Sequence, residues 1–451
     1  MIQRKRAIVM GGSMSGLLAA RVLSDHFEEV ILLERDVFPT SAENRRGVPQ
    51  GHHTHGLLAS GGQVLEQLFP GIRDQLIREG AVPGDIAHKG RWFNEGGCLA
   101  QFPSELAGLV MSRPFLENIV RKRVLSLHNV TPKENTQVQG LAMSGNKSSV
   151  TGVCAGDSVL EADLTVDATG RGSRTPQWLE DAGYPRPKEE RVEVALGYTT
   201  RLFRRNPKDL DGDMAVIVPP TPAGKRGGVM LAQEGDRWTV TLIAHFGNYA
   251  PEDLGGFIEF ARTIPAPYIY EVIREAEPLG NAASARFPAS SRRRYEHLGR
   301  FPVNFLVTGD AICSFNPIYG QGMSVAALEA MALATILKSG SMDLARPFFS
   351  RIAKVVDIPW AIAVGNDLRI PETIGPRNAV VRFINWYMSK LHRAAHRDPV
   401  PALAFHRVAN LLAPPPSVMH PRVVWRVLRG NLRPAKSNRT PPFPKERAAA
   451  Q

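Results

Sequence analysis

Cysteine is scarce in this chain. Among 451 residues there are three cysteines, Cys98, Cys154 and Cys313, and they form no C-x-x-C pair. The sequence therefore indicates neither a disulfide framework nor a cysteine-based zinc or redox site. The chain also lacks an apolar run of the ~18 residues that a membrane-spanning helix requires, and its N-terminus has no signal-peptide cleavage pattern. These absences predict a cytoplasmic protein.

Positive charge is concentrated at one end of the chain. The formal net charge is +12, and residues 351–451 hold 17 Lys+Arg against 5 Asp+Glu, which accounts for the whole excess. Such a segment attracts an anionic membrane surface or an acidic partner, or it is a solvated face that aids solubility. We expect no nucleic-acid binding, because no nucleic-acid motif accompanies the charge.

A glycine-rich turn near the N-terminus separates two apolar runs. RAIVM at 6–10 precedes GGSMSG, a segment with helical spacing follows, and EVILL then leads into Glu34. Strand, turn, helix and strand in this order form a dinucleotide-binding unit, in which N–H groups at the helix N-terminus face a pyrophosphate. Gly11 and Gly16 fill the first and third glycine positions of G-x-G-x-x-G, whereas Ser13 replaces the middle glycine. Glu34 is the acid expected to bind ribose hydroxyls.

Three later segments carry further motifs. SRPFLENIVRKRV at 112–124 predicts a helix with Arg113 at its N-terminal edge. LTVDATG at 164–170 predicts a strand and a glycine turn. VNFLVTGDA at 303–311 predicts a strand ending in Gly-Asp, after which CSFNPIYGQG leads into a helix that ends at Gly340. Alternating stretches between these motifs predict a β-sheet, and the basic C-terminal part reads as helical.

Together these motifs resemble the FAD-dependent monooxygenases with the p-hydroxybenzoate hydroxylase fold, over the chain to about residue 340. RRGVPQGHHTHGLL and SRPFLE are similar to the corresponding segments of polyether-type flavin epoxidases and related secondary-metabolism oxygenases. The G-W-x-W-x-I-P motif of the tryptophan halogenases is absent, which argues against halogenation. The C-terminal motif is the most specific, and it matches the family pattern at Gly309, Asp310, Ala311, Pro317, Gly320, Gly322 and Ala326.

The resemblance implies an α/β fold with three parts. These are a discontinuous, Rossmann-like FAD-binding domain of the glutathione-reductase type, an α+β substrate domain built on a β-sheet, and a basic helical C-terminal region with a loose tail. The expected boundaries are 1–80, 105–184 and 291–345 for the FAD-binding domain, 81–104 and 185–290 for the substrate domain, and 346–451 for the C-terminal region.

The resemblance also assigns contacts to FAD. The glycine turn would carry the pyrophosphate, Glu34 the adenosine ribose, and Asp310 a ribityl hydroxyl. Arg113 and either Arg45 or Arg46 would reach phosphate or ribityl oxygens. The full expected set is Gly11, Gly12, Ser13, Met14, Ser15, Gly16, Glu34, Arg35, Arg45, Arg46, Gln50, Arg113, Gly309, Asp310, Pro317, Gly320, Gln321, Gly322 and Met323.

No catalytic side chain is assigned, because oxygen transfer is the chemistry of the cofactor. No metal site is expected either, since His52, His53 and His55 have no carboxylate or thiol partner in sequence. His55 or Gln50 is expected to face the cavity beside the flavin.

The activity implied by the resemblance is monooxygenation. One oxygen atom from O2 would enter a lipophilic small molecule through a C4a-(hydro)peroxyflavin, by epoxidation of an alkene or hydroxylation of a ring. NAD(P)H would supply the electrons, either directly or through a flavin reductase. The A-T-G turn at 168–170 departs from the D-G motif of the aromatic hydroxylases, so direct reduction by NADPH stays open.

Two alternatives remain. One is an FAD-dependent reductase of isoprenoid-type double bonds, similar to geranylgeranyl reductase. The other is a flavoprotein docked through its basic C-terminal region to a membrane or a carrier protein, which would make it peripheral to the membrane. Trp386 and Trp425 suit an interface or packing against the FAD-binding domain, and we expect packing. Trp238 and Phe246 are candidates for lining the substrate cavity, although either one alone is expected to be core.

Overall fold

The computed structural model describes residues 5–340 and 343–432. The predicted loose tail from residue 433 onward lies outside the described residues. The α-helices are α1 (Met14–Ser24), α2 (Ala59–Leu68), α3 (Ile72–Arg78), α4 (Ile86–Lys89), α5 (Arg113–Leu125), α6 (Thr175–Asp181), α7 (Leu254–Arg262), α8 (Tyr268–Ile273), α9 (Gly322–Lys338), α10 (Ala345–Asp367), α11 (Ala379–Ala395), α12 (Pro399–Ala409) and α13 (Pro421–Leu432).

The strands in chain order are β1 (Arg6–Met10), β2 (Glu29–Leu33), β3 (Val82–Asp85), β4 (Gly90–Asn94), β5 (Gly97–Cys98), β6 (Ala107–Val110), β7 (Val130–Lys133), β8 (Val138–Met143), β9 (Val150–Ala155), β10 (Ser158–Glu161), β11 (Leu164–Asp167), β12 (Lys188–Arg204), β13 (Ala215–Val218), β14 (Arg226–Gln233), β15 (Arg237–His245), β16 (Pro278–Arg294), β17 (Phe305–Val307) and β18 (Cys313–Ser314).

A five-stranded parallel sheet positions the glycine turn. Its strand order is β17-β11-β1-β2-β7, and every neighbouring pair is parallel. β1, β2, β11 and β17 are buried along nearly their whole length, as expected for a sheet covered on both faces. α1 packs against α5 and α9 on this sheet. The predicted βαβ unit is therefore present, and the predicted α/β class is confirmed.

An eight-stranded sheet, of order β18-β16-β12-β15-β14-β13-β4-β5, holds a second core with α7 and α8 against it. β4 comes from the segment 81–104 and pairs in parallel with β13, which comes from 185–290. The predicted substrate domain combines these two segments, and the pairing joins them in one sheet. The boundaries of that domain stay predictions. Trp238 is fully buried in this core and donates a hydrogen bond to Asp209 at 2.7 Å, so it is a core residue.

The C-terminal part of the described chain is helical. α10 packs against α9 and contributes Phe348 and Ile352 to the main core, whereas α11, α12 and α13 enclose a smaller core. No helix in the ranges 5–340 and 343–432 is long and apolar enough to cross a membrane.

The expectation that Trp386 and Trp425 pack inward is wrong. Their exposed fractions are 56% and 55%. α11 turns Tyr387 and Leu391 into the small core, and α13 turns Val423 and Val427 into it. With helical periodicity, the tryptophans therefore lie on the solvent side of their helices.

Candidate active site

The predicted motifs meet at the carboxyl end of the five-stranded sheet. The amide of Ala168, after β11, donates to Met10 O at 2.9 Å, and the amide of Gly11, after β1, donates to Leu33 O at 2.8 Å. The turn after β17 touches the same place, because a Cβ on Gly309 would lie 2.6 Å from Ser15 Oγ. Ligands of open α/β sheets bind beyond this edge of the strands.

The glycine turn is shaped as a close-fitting cradle. Gly11 has φ +99°, a left-handed conformation that favours glycine, and a Cβ there would lie 2.6 Å from Ala168 O. A Cβ on Gly16 would lie 1.7 Å from Gly11 O. Ser15 Oγ is buried and has no hydrogen-bond partner within the described residues. This turn, at the N-terminus of α1, therefore has the form and a spare hydroxyl for binding an anion.

Arg45 lies in the buried centre of the site. Its Nη1 is 2.8 Å from Glu34 Oε2, its Nη2 is 3.2 Å from Glu117 Oε1, and Nη2 also donates to Gly12 O at 3.0 Å. Burial lowers the pKa of the Arg45 guanidinium, but Glu117 and Glu34 together outweigh burial and leave that pKa above its usual value. The neighbouring Arg46 is exposed. The sequence did not distinguish Arg45 from Arg46. In the structure, Arg45 pairs with buried acids and Arg46 is exposed.

Glu34 is buried at the end of β2. Its Oε2 accepts from the Gly12 amide at 2.9 Å, and its Oε1 accepts from the Asp36 amide at 3.1 Å. A carboxylate offers about four acceptor positions, so Glu34 retains capacity for a ribose hydroxyl.

Ser13, which replaces the middle glycine, is held from the side by α5. Its Oγ donates to Glu117 Oε2 at 2.9 Å and accepts from Arg113 Nη2 at 2.9 Å. Sequence reasoning missed Glu117, although its i,i+4 spacing from Arg113 on the predicted helix was a usable signal. The hydroxyl is drawn toward α5 by these two contacts, and this explains how a side chain is accommodated at this glycine position.

The Gly309–Asp310 turn is held from below by a buried acid. Glu329, on α9, accepts from Thr308 Oγ1 at 2.6 Å and from the Gly309 amide at 2.5 Å. Asp310 is exposed to solvent, although neighbouring protein atoms lie close around its carboxyl. Burial raises the pKa of the Asp310 carboxyl, against the opposing effect of Arg113 and Arg171. Sequence reasoning also missed Glu329, because its role depends on how α9 packs under the turn.

Glu329 makes stability depend on pH. Burial raises its pKa from 4.5 to about 7, so the folded state retains a proton that the unfolded state releases. The free energy of unfolding therefore falls as pH rises between about 4.5 and 7, by an amount on the order of a few kcal/mol from this group. We expect Glu329→Gln to flatten this decline, since the neutral amide oxygen can still accept both hydrogen bonds. Urea unfolding of both proteins at pH 5 and pH 7.5 measures the difference; parallel declines would contradict the assignment.

The loop before α9 crosses the segment that contains the histidines. Gly320 has φ +64°, and a Cβ there would lie 3.8 Å from Gly56. His55 Nε2 is 3.3 Å from Arg113 Nη1, which places His55 beside the N-terminus of α5. Burial lowers the pKa of His55 to about 3, with Arg113 acting in the same direction, so its imidazole is neutral at pH 7.

The three histidines have separate partners. His53 Nδ1 lies 2.8 Å from Thr200 Oγ1, on the larger sheet, and His52 Nδ1 lies 3.2 Å from Asn44 Nδ2. The structure therefore shows His53 linking the loop to the larger sheet and His55 in contact with Arg113, while the expectation that His55 or Gln50 faces the cavity beside the flavin stays a prediction. Gln50 is half-buried in the same loop, whereas Arg35 is exposed, as Arg46 is. The cofactor contacts of all these residues stay predictions.

A comparison with individual known proteins, rather than with family models, places the chain in a family. No model of a known protein family matches it. Its sequence is 33% identical to protein Rv3254 of Mycobacterium tuberculosis, over 95% of this chain and 94% of that protein. The chain belongs to the family of protein Rv3254. A kynurenine 3-monooxygenase of Salinispora arenicola is 25% identical over 73% of this chain and 72% of that enzyme.

Solved structures share the fold. The flavin-dependent brominase Bmp2 superposes with a TM-score of 0.66 at 14% identity, over 94% of this chain and 98% of the brominase. The oxygenase of 2-methyl-3-hydroxypyridine-5-carboxylic acid superposes with a TM-score of 0.59 at 20% identity, over 90% of this chain and 97% of that enzyme. The predicted resemblance to FAD-dependent monooxygenases with the p-hydroxybenzoate hydroxylase fold is confirmed at the level of the fold.

Proposed function

We propose that the protein is an FAD-dependent monooxygenase that adds one oxygen atom from O2 to a lipophilic small molecule. The observation that carries the proposal is the convergence of the glycine turn, the Gly309–Asp310 turn and the turn at Ala168 at one edge of the parallel sheet. In the overall reaction NAD(P)H supplies two electrons, one oxygen atom enters the substrate, and the other leaves as water.

The residues present fit FAD. Gly11 and Gly16 leave no room for side chains, and the unpartnered hydroxyl of Ser15 and the guanidinium of Arg113 supply donors for phosphate oxygens. Asp310 offers a carboxylate to a ribityl hydroxyl. The bound FAD would supply the redox chemistry and the activation of O2.

The chain's own residues would orient the ring and control charge beside it. α9 begins at Gly322, and its N-terminal amides would favour negative charge at the edge of the flavin ring. Because His55 is neutral at pH 7, it adds no second cation next to Arg113. His53 ties the loop to the larger sheet, which supports a substrate position between the cofactor and that sheet.

Mixing FAD-loaded, chemically reduced protein with oxygenated buffer in a stopped-flow instrument tests the proposal. We expect a spectral transient between the reduced and oxidised flavin spectra, lengthened by a bound substrate. Direct reoxidation without a transient, in the presence of a panel of alkenes and phenols, would favour the reductase of isoprenoid-type double bonds instead. Failure of the purified protein to bind FAD would contradict both functions.

The position of oxygen insertion and the electron donor are separate parts of the proposal. We favour epoxidation, on the similarity of RRGVPQGHHTHGLL to the polyether-type epoxidases, whereas the kynurenine 3-monooxygenase relative supports ring hydroxylation. Product analysis with a paired alkene and phenol separates the two reactions. Reduction of the bound flavin by NADPH or NADH, with and without an added flavin reductase, decides whether a partner supplies the electrons.

We further propose that the C-terminal region docks on an anionic membrane surface. Phe383 and Trp386 on α11 are about half exposed and lie in contact, with ring centroids 5.8 Å apart. On α13, Trp425 lies beside the guanidinium groups of Arg426 and Arg429, 5.6 Å and 5.3 Å from its ring centroid. Exposed aromatic side chains among cations suit the headgroup region of a membrane.

Replacing both exposed tryptophans tests this docking. Trp386→Ser with Trp425→Ser is expected to weaken binding to phosphatidylglycerol vesicles about tenfold or more, because burial of apolar area in the interface is lost. Val159→Ser, on an equally exposed valine of β10, is the matched control and should bind as the wild type does. Co-sedimentation at low and high salt, with phosphatidylcholine vesicles as the neutral reference, gives the measurement. Equal binding by wild type and double variant would exclude this surface.

A further inference from the structure

A buried carboxyl lies behind the loop that leads into α9. Asp367 is the last residue of α10 and is 1% exposed. Its Oδ1 accepts from Tyr319 Oη at 2.7 Å and from Asn316 Nδ2 at 2.8 Å. Its Oδ2 is buried with no hydrogen-bond partner within the described residues. Asp367 also lies beyond residue 340, outside the part of the chain that carries the recognised motifs.

The two donors bracket one short turn. Asn316 caps the 3-10 turn Pro317–Tyr319, and its Oδ1 accepts from the Ile318 amide at 3.2 Å. Gly320 follows in the left-handed conformation, and α9 then begins at Gly322. One oxygen of Asp367 therefore fixes both ends of the turn that sets where α9 starts.

The chain that follows Asp367 is bonded to the larger sheet. Arg369, two residues later, forms an ion pair with Glu95 near the larger sheet. Further along, Ile374 pairs with Glu193 of β12 through hydrogen bonds of 3.1 Å and 3.2 Å. Asp367 therefore lies between the turn and a segment that is bonded to the larger sheet.

A carboxyl in this place lowers stability. Burial raises its pKa to about 7, against the hydrogen bonds from Tyr319 and Asn316, and a buried polar atom without a partner costs about 1–3 kcal/mol. A locally unfavourable arrangement of this kind points to a functional constraint on geometry.

We propose that Asp367 is a positioning residue for the bound flavin. Through Tyr319 and Asn316 it fixes the backbone from Gly320 to Gly322, which the proposed function places against the flavin ring. This inference rests on the proposed function. It adds a specific role for the C-terminal region, because α10 supplies the carboxyl that sets the geometry of the cofactor loop.

Three substitutions test the role by FAD titration and by the visible spectrum of the bound flavin. Asp367→Asn keeps an oxygen that can accept both hydrogen bonds, and we expect FAD affinity within about threefold of wild type. Asp367→Ala removes both bonds, and we expect about tenfold weaker FAD binding with a shifted flavin spectrum. Tyr319→Phe removes one bond and should fall between them. Tyr184→Phe, which removes a hydroxyl bonded to Lys147 O at 2.8 Å elsewhere, is the matched control.

The outcomes are distinguishable. Wild-type affinity and an unchanged flavin spectrum in both Asp367→Ala and Tyr319→Phe would overturn the positioning role while leaving the proposed function in place. If Asp367→Ala does not fold, Tyr319→Phe decides: behaviour equal to that of Tyr184→Phe overturns the role, and a spectral shift seen only in Tyr319→Phe supports it. A wild-type protein that binds no FAD would overturn the proposed function, and this inference with it.

Discussion

Gly16→Ala is expected to abolish FAD binding and to destabilise the protein by about 3 kcal/mol or more. The added methyl group would lie 1.7 Å from Gly11 O. Because this oxygen belongs to the backbone of the β1–α1 turn, no side-chain rotation relieves the overlap, and the turn must open. FAD titration and urea unfolding of the purified variant give the two measurements.

Gly62→Ala is the matched control for this prediction. Gly62 lies inside α2, and a Cβ there would meet no atom within 4 Å. Alanine favours a helix over glycine by about 1 kcal/mol, so this variant should be as stable as wild type or slightly more stable. Normal FAD binding by Gly16→Ala would show that this turn is not the pyrophosphate site.

The second large effect is expected for Arg45→Met. Methionine removes the cation shared by Glu34 and Glu117, two buried carboxylates, and breaking a buried ion pair in this way costs about 3–5 kcal/mol. FAD affinity should fall at least about tenfold, because the repelling carboxylates would displace the Gly12 backbone that Arg45 now holds. Chemical unfolding measures the first effect and FAD titration the second.

Arg46→Met is the matched control for this prediction. Arg46 carries the same charge one residue later but is exposed, so its substitution should change stability by no more than about 0.5 kcal/mol. Equal effects of the two substitutions would contradict the assignment of the buried ion pairs to Arg45.

Local chemistry in the sequence determined the elements around the cofactor site. The apolar runs RAIVM and EVILL predict buried parallel strands because both faces are covered, and both are strands in the structure. Glycines at 11 and 16 predicted a tight turn into a helix, and the segment 112–124 predicted a helix with Arg113 at its N-terminal edge, where α5 begins. Capping, glycine conformation and hydrophobic periodicity act over a few residues, so a sequence reports them directly.

Contacts between distant segments were decided only by the tertiary structure. Arg45 and Arg46 are equivalent in sequence, and the packing of α5, which brings Glu117 to the glycine turn, alone distinguishes them. Asp367 reaches the Tyr319 turn because α10 folds back along α9. Trp386 and Trp425 face solvent because other residues of their helices fill the small core. Each of these outcomes depends on which surfaces meet after the chain folds, and helical or strand periodicity alone does not specify the partner of a given face.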